Sequence, residues 1–260
     1  MISSFFHAVI YEPLYNGLVF LIGVMPGHNI GLAVIAITII VRLLLYPSSK
    51  KAILSQIKIK EIQPELEAIT KKYKDNREER ARKTLELYRD KKVSMFAPIL
   101  PLLLQLPVIL ALYYIFTSSG LPAVKADILY SFIRIPEFTS TAFFGLFDIT
   151  DKNWPIAIIA GVTQFLQASV YLNLTNGKNP PVISKDEKPS FQADFQKSMN
   201  FQMKYVFPIF VAFFAHTLTA AIALYWTTSN LFSILQEIIT RKPNSFKDIF
   251  GDRKVIKTKV

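Results

Sequence analysis

Arg42 is the residue with the clearest chemical potential, because it stands inside an apolar stretch that runs from residue 30 to residue 46. Thr38 lies one helical turn before it on the same face. Further polar side chains interrupt the later apolar stretches: Gln105, Gln164, Gln167, Tyr225 and Ser229. Polar groups inside a membrane face a bundle interior or a water-filled cavity. These residues therefore offer hydrogen bonding and electrostatic attraction, rather than bond cleavage.

Catalytic and metal-binding patterns are missing from the sequence. The chain has no cysteine, which excludes thiol catalysis, disulfides and cysteine-based metal sites. Its three histidines, His7, His28 and His216, form no ligand pair at helical spacing. Glu237 is the only acidic residue within the apolar stretches, and phosphate-binding loops and nucleophile elbows are absent. We therefore predict a protein that is not an enzyme and that binds no metal or cofactor.

Apolar blocks supply the elements that must position these polar residues. Of the 260 residues, 51% are hydrophobic, and about 20 apolar residues cross a hydrocarbon core of ~30 Å. The sequence predicts an all-α polytopic membrane protein with five transmembrane helices, at residues 29–47, 97–117, 154–172, 205–217 and 218–240. Pro47 is expected to end the first helix, and the last two are expected to turn near "AHTLT". Residues 1–28, interrupted by Pro13 and Gly17, are predicted to form an interfacial segment that is too short to span.

The connecting segments differ strongly in charge. One side of the membrane receives residues 48–96, predicted as a helical hairpin with a turn at "KYKDN", residues 173–204 and the basic tail 241–260. Together these segments carry 26 Lys and Arg, whereas residues 1–28 and the loop 118–153 carry three. Segments rich in Lys and Arg stay in the cytoplasm. We therefore predict an outside N-terminus and a cytoplasmic hairpin, loop and tail.

Depth arguments place the polar residues on one side of the membrane. Arg42 lies about 7 Å from the cytoplasmic end of its helix and Gln105 about 12 Å into the next span, while the outer halves of the spans are mostly apolar. This arrangement predicts a hydrophilic groove that opens to the cytoplasm and is closed toward the outside. Two alternatives stay open: Arg42 could extend its side chain to lipid phosphates, and the Gln and Ser side chains could join helices by hydrogen bonds.

Several segments resemble a known family in the same order along the chain. "GLAVIAITIIVRLLLYPSSKKA", "IQPELEAITKKYKDN", "PLLLQLPVILALYYIF" and "ALYWTTSNLFSILQ" are similar to segments of the YidC membrane protein insertases and of their mitochondrial and chloroplast relatives. The chain departs from the family pattern at "KKVSMFAP" and "AHTLTAA", where the family has other turn residues. These departures concern the geometry of two turns.

The resemblance implies a function and a set of groove residues. It implies a five-helix core whose groove is open to the cytoplasm and to lipid and holds a positive charge at Arg42, beside Thr38. The groove residues that it implies further are Gln164, Gln167, Tyr225 and Trp226. Gln105 and Ser229 join this set through their depth. It also implies an insertase and chaperone of the bacterial plasma membrane, which receives nascent hydrophobic segments and releases them sideways into the bilayer without nucleotide hydrolysis. The implied partners are nascent membrane proteins, the ribosome and membrane lipids, with the Sec translocon as a further candidate and no specific DNA binding.

Two other classes of function compete with this interpretation. A small solute channel or transporter would also place polar residues inside a helical bundle. A structural assembly factor would bind helices that are already in the membrane. Conductance or uptake would identify the first, and contact with ribosome-bound nascent chains would distinguish the second from an insertase.

Overall fold

Helices make up most of the computed structural model, which describes residues 2–94, 100–117, 121–176, 198–243 and 249. Parts of the predicted segments 48–96, 97–117, 118–153, 173–204 and 241–260 lie outside the described residues. The α-helices are α1 (Ile2–Phe6), α2 (Glu12–Val24), α3 (Ile30–Leu44), α4 (Tyr46–Glu61), α5 (Gln63–Lys72), α6 (Arg77–Asp90), α7 (Leu100–Thr117), α8 (Trp154–Asn176), α9 (Phe207–Thr217) and α10 (Ala220–Arg241).

The first two helices form one continuous helical segment. A π-helical turn, His7–Tyr11, joins α1 to α2, and the Glu12 N–H bonds to the His7 carbonyl across it. Pro13 falls in the first turn of α2, where its missing N–H costs little. The expected interruption at Pro13 is therefore wrong, and Ser4–Val24 has the length and composition to cross a membrane. The interfacial assignment of residues 1–28 stays a prediction.

The first predicted span ends earlier than the sequence suggested. Asn29 caps α3, its Oδ1 accepting from the Leu32 N–H at 3.1 Å, and the helix ends at Leu44. The next helix, α4, begins at Tyr46 and is bent by 59° relative to α3. Pro47 lies in the first turn of α4. It therefore starts the following helix instead of ending the preceding one, which is the position where proline is most compatible with a helix.

A small helical unit follows the bend. The turn between α5 and α6 falls at residues 73–75, within the predicted "KYKDN", and Asn76 caps α6 by accepting from the Glu79 N–H at 3.0 Å. This unit has a small core of its own, made of Ile62, Leu87 and Val93. We call the end of the bundle that carries α4, α5 and α6 the hairpin end.

Helix packing builds the main core. α10 packs against α8 and α3, α9 packs on α8, and α2 packs on α3. Fully buried side chains from these helices and α7 fill the interior: Tyr15, Leu18, Ile22, Ile30, Val34, Leu112, Ile115, Val211 and Ala223. Large apolar side chains also cover the outer surface, including Phe20, Leu106, Ile158, Ile209 and Leu231. An apolar surface this extensive is typical of a protein that contacts lipid.

The opposite end of the bundle carries residues 121–153, and we call it the loop end. Two short antiparallel strands, Ala142–Phe143 and Phe147–Asp148, form a ribbon that the sequence had not predicted. Backbone bonds tie the loop to helix ends: Ile30 N–H donates to the Ser140 carbonyl at 3.0 Å, and Ala220 N–H donates to the Asp151 carbonyl at 2.7 Å.

Helix lengths bear on the number of spans. Within the described residues, Ser4–Val24 and Trp154–Thr175 are long and apolar enough to cross a membrane, and the bent pair α3–α4 makes a third candidate. The helical segment containing α9 continues back through a π-helical turn, Gln202–Val206, to residue 198, so it is longer than the predicted span 205–217. The protein is thus mostly helical with two to three apolar candidate spans, and the five-span arrangement stays a prediction.

Candidate functional site

Three helices bring Arg42, Gln105 and Ser229 together. Arg42 belongs to the last turn of α3, Gln105 to α7 and Ser229 to α10. The Arg42 guanidinium donates from Nε to Ser229 Oγ at 2.9 Å and from Nη2 to Gln105 Oε1 at 2.6 Å. Gln105 Nε2 closes the triangle by donating to Ser229 Oγ at 3.3 Å. The arginine is therefore held in one orientation by partners from two other helices.

Ser229 Oγ is a shared acceptor. It receives hydrogen bonds from Arg42 Nε, from Arg42 Nη2 and from Gln105 Nε2. A hydroxyl oxygen has two lone pairs, so three donors compete for it. Ser229 is fully buried, whereas Arg42 and Gln105 are half-buried.

A small cavity lies beside the guanidinium, between α3, α4, α7 and α10. Its lining residues are Thr38, Val41, Arg42, Leu45, Ser49, Gln105, Val108 and Tyr225. Thr38 is buried, and its hydroxyl donates to the Val34 carbonyl at 2.6 Å. It therefore adds a polar atom to the cavity wall without a hydrogen bond to Arg42. The cavity is thus polar around Arg42 and apolar on the side formed by Val41, Leu45 and Val108.

The positive charge of Arg42 has no carboxylate partner among the described residues. The ion pairs in this part of the chain join other groups, such as Arg82 with Glu79 and Arg241 with Glu237. Gln105 and Ser229 are neutral, so they orient the guanidinium without cancelling its charge. A buried or half-buried cation of this kind attracts an acidic group or a carbonyl oxygen.

The structure brings together five of the eight predicted groove residues. Arg42, Thr38, Gln105 and Tyr225 line the cavity, and Ser229 bonds to two of them. The other three lie apart from it. Gln164 on α8 donates to Gln167 on the same helix at 3.1 Å, and the Trp226 ring meets Phe214 of α9 edge-on at 6.2 Å.

Ser49 lines the cavity and was missed by the sequence reasoning. The predicted stop at Pro47 placed it in the cytoplasmic segment, yet the helix resumes at Tyr46. Its spacing carried no signal, because Ser49 follows Arg42 across the 59° bend between α3 and α4, where helical intervals do not continue.

A second polar cluster at the hairpin end was also missed, and we call it the clamp. Its members are Glu237 and Arg241 of α10, Gln56 of α4 and Tyr171 of α8. Arg241 donates to Glu237 within one helical turn, and its Cζ lies 5.9 Å from the centre of the Tyr171 ring. The spacing of Glu237 and Arg241 could have predicted the pair, although not the contact with Gln56.

Metal-binding groups give no alternative site in the part of the chain that the structure describes. No cluster of three or more His, Asp and Glu side chains is present there that could hold a metal ion. The Arg42 cavity is thus lined by a cation and by neutral polar and apolar groups.

Most of this chain is similar in sequence to known proteins. The family model described as 60Kd inner membrane protein matches residues 21–247. The membrane protein insertase YidC of Clostridium tetani is 30% identical over 217 residues, which cover 84% of each chain. The YidC insertase of Oceanobacillus iheyensis is 31% identical over 84% of this chain and 76% of its own. That of Fusobacterium nucleatum is 29% identical over 90% of this chain and 97% of its own.

The matched region contains the whole Arg42 cavity, since all its lining residues fall between residues 38 and 225. The identity extends along most of the chain rather than over one motif. The resemblance to the YidC insertases is thereby confirmed, and the chain belongs to the 60Kd inner membrane protein family.

Proposed function

We propose that this chain is a membrane protein insertase, which receives hydrophobic segments of nascent membrane proteins at the Arg42 cavity and releases them into the bilayer. Its relatives carry the name of that function. The observation that carries the proposal is the guanidinium of Arg42, held by the neutral groups of Gln105 and Ser229 and left without a carboxylate among the described residues.

The remaining hydrogen-bonding capacity of Arg42 favours a polypeptide substrate. A guanidinium has five N–H donors, and the described contacts use Nε and Nη2. The two donors on Nη1 are left for a ligand. A carboxylate near the end of an inserting segment, or a backbone carbonyl, supplies an acceptor for them.

The position of the cavity fits entry from the hairpin end. Leu45 and Ser49 of its wall lie at the start of the hairpin unit, on either side of the bend between α3 and α4. In the proposed orientation this end faces the cytoplasm, because it carries the excess of Lys and Arg. A nascent segment that leaves the ribosome then meets the hairpin before it reaches Arg42.

Exposed apolar side chains beside the cavity suggest the exit. Leu43 and Leu44 follow Arg42 on α3, and Leu106 and Leu110 follow Gln105 on α7; all four are exposed. A segment that leaves the polar wall therefore meets an apolar surface of the kind that faces lipid. Transfer of its side chains into hydrocarbon, about 25 cal/mol per Å² of apolar surface, provides the driving force without nucleotide hydrolysis.

The other proposed partners follow from this route. The basic hairpin and the tail are proposed to meet the ribosome, and the Sec translocon is a candidate for segments that are handed over from it. Gln164, Gln167 and Trp226 are proposed to contact a segment deeper in the bundle, along α8 and α10. No part of this proposal requires recognition of DNA.

The test is insertion of a single-span substrate with an acidic tail by the purified full chain in liposomes. Arg42→Ala is compared with Arg42→Lys and with Arg134→Ala, which removes an exposed arginine at the loop end. We expect roughly tenfold slower insertion for Arg42→Ala and near-normal insertion for the other two. Equal insertion by all three variants would overturn the role of the Arg42 charge.

A second measurement tests the class of function. A photoreactive amino acid at Gln105 or Ser49 should crosslink to ribosome-bound nascent chains as their hydrophobic segment emerges. Crosslinks formed only with helices already in the membrane would indicate an assembly factor. Conductance of the same liposomes without any substrate would indicate a channel.

A further inference from the structure

The most exposed large apolar side chains of the chain include several at the loop end. Phe132, Phe144 and Leu146 are exposed by 77%, 70% and 78%. Ile135 and Phe138 are exposed by 50% and 58%. We call these five residues the apolar collar. Side chains of this type are normally withdrawn from water. Five of them exposed in one loop indicate that an apolar environment covers them.

Backbone contacts fix the height of the collar relative to the helices. Ser140 donates its N–H to the His28 carbonyl and accepts from the Ile30 N–H, both at 3.0 Å. Asn29 Nδ2 donates to the Ala142 carbonyl at 2.8 Å. The Phe143 ring rests on Gly31, where an added Cβ would come within 2.2 Å of it. The loop is therefore held at the level where α2 ends and α3 begins.

The outer surface of α2 continues into the collar. Phe20 and Val24 stand one turn apart on the last turns of α2 and are both exposed. Pro136 lies against Gly23 in the same turn, with its Cγ 4.0 Å from the position of an added Cβ. Ile135 lies next to Pro136 in the chain, and Phe138 contacts the His28 ring with centroids 4.8 Å apart. One apolar stripe therefore runs from a candidate membrane span onto the loop.

An aromatic residue at the start of α8 marks the same end. Trp154 is half exposed and stacks on His216, with ring centroids 3.7 Å apart. Tryptophan is concentrated at the boundary between hydrocarbon and headgroups, because its ring is apolar and its N–H is polar.

Charge favours lipid over a polyanionic partner at this end. Residues 121–153 hold three basic side chains (Lys125, Arg134 and Lys152) and four acidic ones (Asp127, Glu137, Asp148 and Asp151), a net charge of −1. Such a loop gains little by attraction to nucleic acid or to anionic headgroups. Its binding energy must come from the apolar side chains themselves.

We propose that the apolar collar is inserted into the interfacial layer of the bilayer leaflet at the loop end, with lipid as its partner. The phenyl and leucyl groups reach the boundary between headgroups and acyl chains, about 5–10 Å below the surface. The collar then anchors the ends of α2 and α3 at a fixed depth. This proposal requires that the chain lie in a membrane, and it is independent of insertase activity.

Single-cysteine labelling provides the test, since the chain has no cysteine of its own. Phe132→Cys, Phe144→Cys and Leu146→Cys are labelled with an environment-sensitive fluorophore and reconstituted in phosphatidylcholine–phosphatidylglycerol liposomes. Asp75→Cys, at the exposed turn of the hairpin unit, is the control. We expect blue-shifted emission at the collar and quenching by spin-labelled lipid roughly threefold stronger than at the control. Circular dichroism of each labelled variant checks that the helices are retained.

Three outcomes decide between lipid and other partners. Strong lipid quenching at two or more collar positions supports the proposal. Quenching by aqueous iodide equal to that of Asp75→Cys overturns it, because the collar would then lie in water. Protection from iodide without lipid quenching also overturns it, since a contact between copies of the chain would cover the collar.

Discussion

Arg241 Nη2 donates a hydrogen bond to Gln56 Oε1 at 2.8 Å, and this bond joins the end of α10 to the middle of α4. The Arg241 and Glu237 side chains are only 5% and 9% exposed, so the clamp is a buried ion pair with an added bond to a third group. Gln236 Nε2 adds a longer contact, 3.4 Å, to the Tyr46 carbonyl. The base of the hairpin unit is thus fixed to the main bundle.

The clamp predicts a stability effect that depends on which partner is removed. Arg241→Met leaves the Glu237 carboxylate buried without its cation, which costs about 3–5 kcal/mol. The double variant Glu237→Gln with Arg241→Met removes both charges and should recover most of that loss. Thermal unfolding in detergent measures both. Arg82→Met, which breaks exposed pairs with Glu79 and Glu86, serves as the control and should leave thermal unfolding almost unchanged. Equal losses from the single and double variants would contradict the prediction.

A difference in mobility between α4 and the α5–α6 pair follows from the same contacts. α4 buries Ala52, Ile53 and Gln56 against the bundle, whereas α5 buries no residue and α6 buries only Leu87. Local opening is easiest where few apolar contacts hold a segment. We expect the amides of α5 and α6 to exchange hydrogen roughly tenfold faster than those around Gln56 in the reconstituted chain. Uniform exchange along residues 46–90 would show that the three helices move as one.

Gln105→Glu tests the charge of the cavity without removing the arginine. The new carboxylate would lie at the position of the present amide oxygen, 2.6 Å from Arg42 Nη2, and would neutralise the guanidinium. In the proposed function, insertion of a substrate with an acidic tail should fall about tenfold, a loss of about 1.4 kcal/mol. Gln63→Glu, an exposed position on the hairpin unit, is the matched control. Unchanged insertion by Gln105→Glu would mean that hydration, and not net charge, is what the arginine provides.

The contact between α8 and α9 predicts sensitivity at Gly161. A Cβ added there would lie 2.7 Å from Ala212 Cβ and 3.0 Å from the Pro208 carbonyl oxygen, and the latter is backbone that cannot turn away. Gly161→Ala should therefore push the helices apart and cost about 1–3 kcal/mol in thermal unfolding. Adding Ala212→Gly should recover part of this loss. Gly23→Ala, where the nearest atom is 4.0 Å away, should have little effect.

Asp148 gives the loop end a dependence on pH. Partial burial raises the pKa of its carboxyl, but hydrogen bonds from Thr141 Oγ1 and from the Thr150 N–H and hydroxyl outweigh burial and lower the pKa below its usual value. A lowered pKa in the folded state stabilises the loop above the pKa of the unfolded chain, about 3.9, and the stabilisation is lost as pH falls through the folded-state pKa.

Asp148→Asn should therefore weaken the loop at neutral pH and have a smaller effect at acid pH. The measurement is hydrogen-exchange protection of the Ile149 and Thr150 amides, normalised to unstructured peptides. We expect roughly tenfold lower protection at pH 7, since a hydrogen bond to a charged group contributes about 1.5–3 kcal/mol. A difference of the same size at pH 7 and at acid pH would contradict the assignment.

Local sequence patterns predicted some helix ends and turns, where hydropathy along the chain is enough to place them. The turn between α9 and α10 falls at Leu218 and Thr219, within the predicted "AHTLT", and α8 begins at Trp154 as expected. The depth argument placed Arg42 and Gln105 near the same level, and the structure joins them directly. Such features depend on hydropathy and distance along a helix, which a single sequence contains.

Rotation of each helix about its axis could not be predicted in this way. Gln164 and Gln167 bond to each other on α8, and neither lines the Arg42 cavity. The bond between Gln56 and Arg241 joins residues far apart in the chain, and no local pattern encodes it. The errors at Pro13 and Pro47 have a different cause: both prolines lie in the first turn of a helix, where the rule that proline ends helices does not apply.

The three donors that converge on Ser229 have a consequence for membrane topology. An incoming carbonyl or carboxylate can take one donor from the shared hydroxyl, and the other two still satisfy it, so little bonding is given up in the exchange. A segment flanked by Lys or Arg offers backbone carbonyls but no carboxylate, and its flank meets a fixed charge of its own sign. In the proposed function, acidic flanks are drawn past the cavity while basic flanks are held back on the hairpin side. The asymmetry that decides which end of a helix crosses the membrane would then begin at the Arg42 charge, which the serine oxygen holds in place.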